Sequence, residues 1–131
     1  MRLDSQLVPE VLEFYRASDT PELMRRANAV CKQTYGSDVY LRGLIEFTNF
    51  CVVDCQYCGI RRSNEAATRY RLTVEQIVDL AEAGWKYGLK TFVLQGGEDP
   101  WFTADRITEV LEGIRRVTDG QGAVTLSVGI R

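Results

Sequence analysis

Apolar residues recur along the chain at two spacings, and the alternation between them outlines an architecture before any chemistry is considered. Near the start, Val8, Val11, Leu12 and Tyr15 fall on one helical face. That segment is expected to stop around Ser18-Asp19. Thr20 then caps a second helix with Pro21 at its first position. Leu23, Ala27, Val30 and Cys31 share its apolar stripe, and Gly36 ends it. From Val39 the spacing changes: Val39-Tyr40-Leu41-Arg42-Gly43-Leu44-Ile45-Glu46-Phe47 is rich in strand formers and predicts a first strand. After a polar stretch, Thr73-Val74-Glu75-Gln76 has the form of a capping box. Ile77, Val78, Leu80, Ala81 and Trp85 carry the helix that follows as far as Gly88. Thr91-Phe92-Val93-Leu94-Gln95 reads as a second strand closed by Gly96-Gly97. Thr103 caps a further helix through Ile107, Val110, Leu111, Ile114 and Val117, and 123–128 reads as a third strand.

Strands alternating with helices imply βαβ units and a parallel sheet, hence an α/β fold. A parallel sheet needs cover on both faces, and a closed (β/α) barrel takes roughly 200 residues or more. The expectation is therefore the N-terminal part of a (β/α) TIM-type barrel. Residues 37–131 supply its first three β/α units, an incomplete set, and residues 1–36 form a helical N-terminal extension. A small open α/β domain is the alternative, and it would leave the last strand as an unprotected edge.

Composition narrows the function classes. The 131 residues are 45% apolar and 26% charged, as in an ordinary folded domain. A net charge of −2 offers no basic field for nucleic acid or an anionic membrane. No stretch approaches the roughly 18 apolar residues of a membrane span. The opening MRLDSQLVPEV carries Asp4 and Glu10 and lacks the apolar core of a secretory signal, which points to the cytoplasm. There is no histidine, so the commonest general base and metal ligand is missing.

Three of the four cysteines lie close together, as Cys51-x3-Cys55-x2-Cys58, just after the first expected strand. Thiolates are soft ligands suited to iron–sulfur clusters, and short spacings let one loop wrap a cluster. A four-iron cluster normally takes four cysteines, so three in the loop leave one iron open to another ligand. A structural zinc site wants four Cys or His ligands, and only Cys31 is to spare. Cys31 sits on an apolar helical stripe, where a buried free thiol is expected. A thioredoxin-like reading of Cys55-Gln56-Tyr57-Cys58 would leave Cys51 idle.

The cysteine spacing, with Tyr57 before the last cysteine, resembles the signature of the radical S-adenosylmethionine (SAM) superfamily. Further elements narrow the likeness: Ile45-Glu46-Phe47-Thr48-Asn49-Phe50 leads in, and Cys58-Gly59-Ile60-Arg61-Arg62-Ser63-Asn64 leads out. Arg69-Tyr70-Arg71-Leu72, Gln95-Gly96-Gly97-Glu98-Asp99-Pro100 and Leu126-Ser127-Val128-Gly129 follow. Together they resemble the FeFe-hydrogenase maturation branch of the biotin-synthase-like group, with methylornithine synthases as near relatives. The resemblance implies a barrel with its cluster loop after the first strand and a 4Fe-4S cluster held by Cys51, Cys55 and Cys58. It implies SAM chelating the open iron through its amino and carboxylate groups. An external electron donor would then drive reductive cleavage to a 5′-deoxyadenosyl radical that acts on a small-molecule substrate. Other hydrogenase-maturation proteins are the implied partners.

Individual residues follow from the same resemblance. Gly96, Gly97 and Glu98 would hold the methionine ammonium, chiefly through backbone carbonyls; a plain turn is the alternative for the glycine pair. Tyr57 would lie near the adenine, serve as packing, or both. Ser127, ending the third strand, would touch the cofactor at the mouth where barrel catalytic groups gather. Apart from the resemblance, Arg61 and Arg62 would be a solvated surface pair, as most such pairs are, or would offset the cluster's charge or fix its loop. Glu46 needs a partner if it faces the barrel interior, and Trp85 and Trp101 are expected to pack. One departure from the family pattern is Ile130, where an acidic residue is common.

Overall fold

The computed structural model describes residues 7–17 and 20–129. Ser18, Asp19 and Ile130, named above, lie outside the described residues. The chain divides into two compact units, Met1–Tyr40 and Leu41–Arg131.

The first unit contains helices α1 (Leu7–Ala17) and α2 (Thr20–Tyr35). Arg26 stacks its guanidinium over the Phe14 ring at 4.3 Å. No residue of α2 is buried, and Val8, Val11, Leu12 and Tyr15 of α1 are all exposed. Cys31 is exposed too, which corrects the expectation of a buried thiol. It lines an open groove of about 530 Å³ with Phe14, Leu23 and Val30. Two short helices have too little surface to close over the stripe that their sequences set up.

The second unit is a three-stranded parallel sheet in the order β1-β2-β3, built from β1 (Gly43–Thr48), β2 (Thr91–Gly96) and β3 (Ala123–Ser127). Helices α3 (Val74–Lys86) and α4 (Ala104–Val117) provide the crossovers. The first strand starts four residues later than its sequence suggests, because 39–42 pair with nothing, and Val39, Tyr40 and Leu41 stay exposed. Strand propensity there has no neighbour to satisfy it. The helix starts follow the capping chemistry. Thr73 and Gln76 complete a reciprocal capping box on α3, and the Thr103 side chain accepts from the Arg106 amide on α4.

One face of the sheet carries Ile45, Phe47, Phe92 and Leu94 into a core with Ile77 and Ala81 of α3 and Val110 and Ile114 of α4. The register sets Glu46 opposite Gln95 and Gln95 opposite Ser127. All three are exposed, so a polar row crosses the end of the helix-free face. Glu46 thus lies on the face without helices, its side chain exposed. The β1–β2 register shifts between Glu46 and Thr48, and both Phe47 and Thr48 are buried there. This bulge turns the end of β1 out of the sheet and into the cysteine loop.

Candidate functional site

β1 ends at Thr48, and the chain then runs through Asn49 and Phe50 into the three cysteines. Cys51, Cys55 and Cys58 are all free thiols of intermediate exposure. Short-range turns shape the loop: the Cys58 amide donates to the Cys55 carbonyl at 3.0 Å, and the Arg61 amide to the Cys58 carbonyl at 3.3 Å. Arg61 adds a side-chain bond from Nη1 to the same carbonyl at 3.1 Å. The Arg62 amide reaches back to Val53 at 2.9 Å. Asp54 accepts from the Ser63 amide at 3.0 Å, and hydrogen bonds from Ser63 hold its carboxyl below the usual carboxylate range.

The turn after β2 docks directly on this loop. The Val52 amide donates to the Glu98 carbonyl at 3.0 Å, and the Gly97 amide to the Thr48 carbonyl at 3.3 Å. A Cβ on Gly97 would lie 2.2 Å from the Phe50 carbonyl oxygen and 2.8 Å from the Cys51 Cβ. Only glycine lets the two backbones approach this closely. Gly129, at φ +79°, presses on the Glu98 side chain in the same way, its Cβ position falling 2.0 Å from Glu98 Cγ. Gly96, Gly97 and Glu98 thus form one surface with the start of the cysteine loop.

Beneath this surface lies an ionic knot. Asp99, 2% exposed, takes a bidentate pair from Arg71, Nε at 2.6 Å and Nη2 at 2.9 Å. It also accepts from the Thr48 hydroxyl at 2.8 Å and the Trp101 amide at 3.0 Å. Burial alone would push its carboxyl up, but these hydrogen bonds and the Arg71 charge outweigh it and hold it below the ordinary range. The Arg71 guanidinium also stacks on Phe50, one residue before Cys51, at 4.3 Å. The end of β1, the turn after β2 and the cysteine loop are therefore tied at one point.

The remaining candidates fall around the same edge. Tyr57 is 93% exposed, so its ring finds almost no packing among the described residues. Ser127 closes β3 in register with Gln95. A cavity of about 230 Å³ sits beside the loop, lined by Glu46, Asn49, Ile60, Tyr70, Gln95 and Gly96. Burial and the Glu46 carboxylate raise the Tyr70 hydroxyl's pKa, and that hydroxyl donates to the Glu46 carbonyl at 2.9 Å. Trp101 packs on Phe102 edge to face at 4.7 Å, while Arg106 stacks over its indole at 4.0 Å.

Among the described residues, no three His, Cys, Asp or Glu side chains converge as the ligands of a single metal ion. The fit to an iron–sulfur cluster rests on donor chemistry and shape. Three free thiols share one hydrogen-bonded loop, and a glycine cradle holds its first cysteine against the next strand's turn. The sequence marked Thr48, Asn49, Arg69, Arg71 and Asp99 only as parts of the family likeness and gave them no role. Their roles depend on contacts between distant segments, which spacing along the chain does not show.

The profile of the Radical SAM superfamily matches residues 45–129. The FeFe-hydrogenase maturase subunit HydE of Thermotoga maritima is 37% identical over 124 residues, 95% of this chain and 35% of that protein. A 3-methylornithine synthase of Methanosarcina acetivorans is 31% identical over 107 residues, 80% of this chain and 30% of that one. Among solved structures, HydG, a maturase of the FeFe-hydrogenase, superposes with a TM-score of 0.69 at 27% identity, covering 84% of this chain and 26% of its own. The chain spans about a third of the length of the two relatives.

Proposed function

The chain belongs to the radical SAM superfamily, and from that premise we propose that Cys51, Cys55 and Cys58 hold a 4Fe-4S cluster with one iron open to SAM. The observation that carries this reading is the docking of the Gly97–Glu98 turn on the cysteine loop through the Val52–Glu98 and Gly97–Thr48 hydrogen bonds. It brings three thiols and a glycine-backed turn to the C-terminal edge of a parallel sheet, where barrel enzymes gather their reactive groups. Held by these three thiols, such a cluster would supply one-electron reduction of the SAM sulfonium, the electron coming from an external donor, for radical chemistry on a small-molecule substrate.

The chain's own residues bind and orient. Gly96, Gly97 and Glu98 present backbone and a carboxylate beside the cluster loop for the methionine ammonium. Tyr57, 93% exposed, is free to lie against the adenine, as the family likeness implies. Ser127 offers a hydroxyl from the end of β3 in register with Gln95. The likeness to HydE supports a place for the whole protein in FeFe-hydrogenase cofactor maturation, alongside other maturation proteins, in the cytoplasm where thiols stay reduced. The 31% identity to a 3-methylornithine synthase supports a second reading, in which the same radical start serves a methylornithine-synthase-like or other biotin-synthase-like enzyme.

Anaerobic reconstitution of the chain with iron and sulfide tests the cluster. A reduced four-iron EPR signal that changes on adding SAM is the expected result. Stoichiometric zinc without such a signal would overturn the reading in favour of a non-catalytic metal-binding module.

A further inference from the structure

Arg69 makes no ion pair among the described residues, yet it is one of the most heavily used side chains in the molecule. Its Nη1 donates to the carbonyls of Asn49 and, at 2.8 Å, Ile60. Its Nη2 donates to the carbonyls of Arg61 at 2.7 Å and Asn64 at 3.2 Å. All four terminal N–H groups of the guanidinium thus find backbone acceptors. Those acceptors lie on both sides of the thiols, Asn49 before Cys51 and the other three after Cys58. Asn49 in turn binds the segment that carries Arg69, its Nδ2 donating to Thr68 at 2.7 Å and its Oδ1 accepting from the Tyr70 amide at 2.7 Å.

We propose that Arg69 is the positioning residue of the cluster loop, closing its two ends so that Cys51, Cys55 and Cys58 are arranged before any metal arrives. The inference rests on the cluster reading above and adds what makes the loop competent. Ordering such a loop costs backbone entropy at every residue it fixes. An unclamped loop would meet that cost during cluster assembly. A planar fork is needed because the four carbonyls approach from separate directions. A lysine in its place would present at most three donors from one nitrogen. The guanidinium's charge, balanced by no carboxylate among the described residues, also sits beside a loop destined to carry an anionic thiolate cluster.

The test compares Arg69→Lys and Arg69→Met with the unaltered 131-residue chain, first iron-free and then after anaerobic reconstitution. In the iron-free chain, the hydrogen-bonded amides of Cys58, Arg61, Arg62 and Asn64 should exchange on the order of tenfold faster in both variants. Amides within α3 and α4 should hold their protection. Alkylation of Cys51, Cys55 and Cys58 should accelerate, while exposed Cys31 in the other unit serves as an unchanged reference. After reconstitution, both variants should bind less iron per chain, and the residual reduced cluster should show an altered EPR line shape. If Arg69→Met unfolds the helices, Arg69→Lys decides. Loop exchange and alkylation equal to the unaltered chain would overturn the proposal. So would a loosened loop that still assembles a full cluster with an unchanged EPR spectrum, since Arg69 would then be an ordinary structural residue. If the unaltered chain itself takes up no cluster, the proposed function falls, and this inference falls with it.

Discussion

At the scale of single residues, chemistry and shape separate cleanly. The three loop cysteines contribute donors, and Gly97 contributes absence. Replacing Cys51, Cys55 or Cys58 by alanine should each abolish iron uptake, whereas Cys31→Ala should leave it intact; iron and sulfide analysis after reconstitution reads both. Cys31 is exposed in the other unit. Gly97→Ala would force a methyl group onto the Phe50 carbonyl and Cys51. Overpacking of this kind costs about 1–3 kcal/mol, and here it should also move Cys51, the first of the proposed cluster ligands. We therefore expect a lower melting temperature and reduced iron binding together. Gly59→Ala is the matched control, because its Cβ would meet nothing within 4 Å. Equal losses in the two variants would contradict a specific role for the Gly97 approach.

At the scale of elements, the Asp99 knot joins the end of β1 to the turn after β2. Removing one partner of a buried pair costs about 3–5 kcal/mol. Because Arg71 keeps 29% of its side-chain surface exposed, water can re-solvate it, and Asp99→Asn should fall at the lower end, about 3 kcal/mol. The pH dependence has a definite sign. The Asp99 carboxyl has a lower pKa folded than unfolded, so the unfolded state binds more protons in the acid range. Its contribution is complete above the ordinary carboxylate pKa of about 4 and is lost as pH falls through the depressed native value. Melting curves of the parent chain and Asp99→Asn should therefore lie far apart at neutral pH and converge in acid. A gap that stays constant would show that the carboxylate's charge is not what holds the knot.

At the scale of the whole molecule, the sheet of the second unit is covered on one face by α3 and α4, and its other face carries no helix of that unit. Glu46, Gln95 and Ser127 face outward there, and β3 is an edge whose Leu126 is 42% exposed. A primary carbon radical generated beside that face would be open to solvent, since enclosure is what suppresses side reactions. The 131-residue chain by itself should therefore assemble its cluster but release 5′-deoxyadenosine far more slowly than a full-length relative. Chromatographic quantification of 5′-deoxyadenosine under reducing conditions checks this, and comparable rates would refute it.

Local pattern along the chain was enough for the alternation of strands and helices and for the capped starts of α3 and α4. Both depend on short-range rules: periodicity, and a hydroxyl three residues from an amide. Where a neighbour was needed, local pattern overreached. Strand formers at 39–41 found no partner, and the stripe around Cys31 found no cover. Long-range packing alone brings Gly97 against Cys51, Asp99 to Thr48 and Arg71, and Arg69 across the two ends of the thiol loop. Thr48 and Asp99 are 51 positions apart. Such contacts are fixed by the parallel register and the bulge after Glu46, and those follow from packing the whole sheet against its helices rather than from any local run of residues.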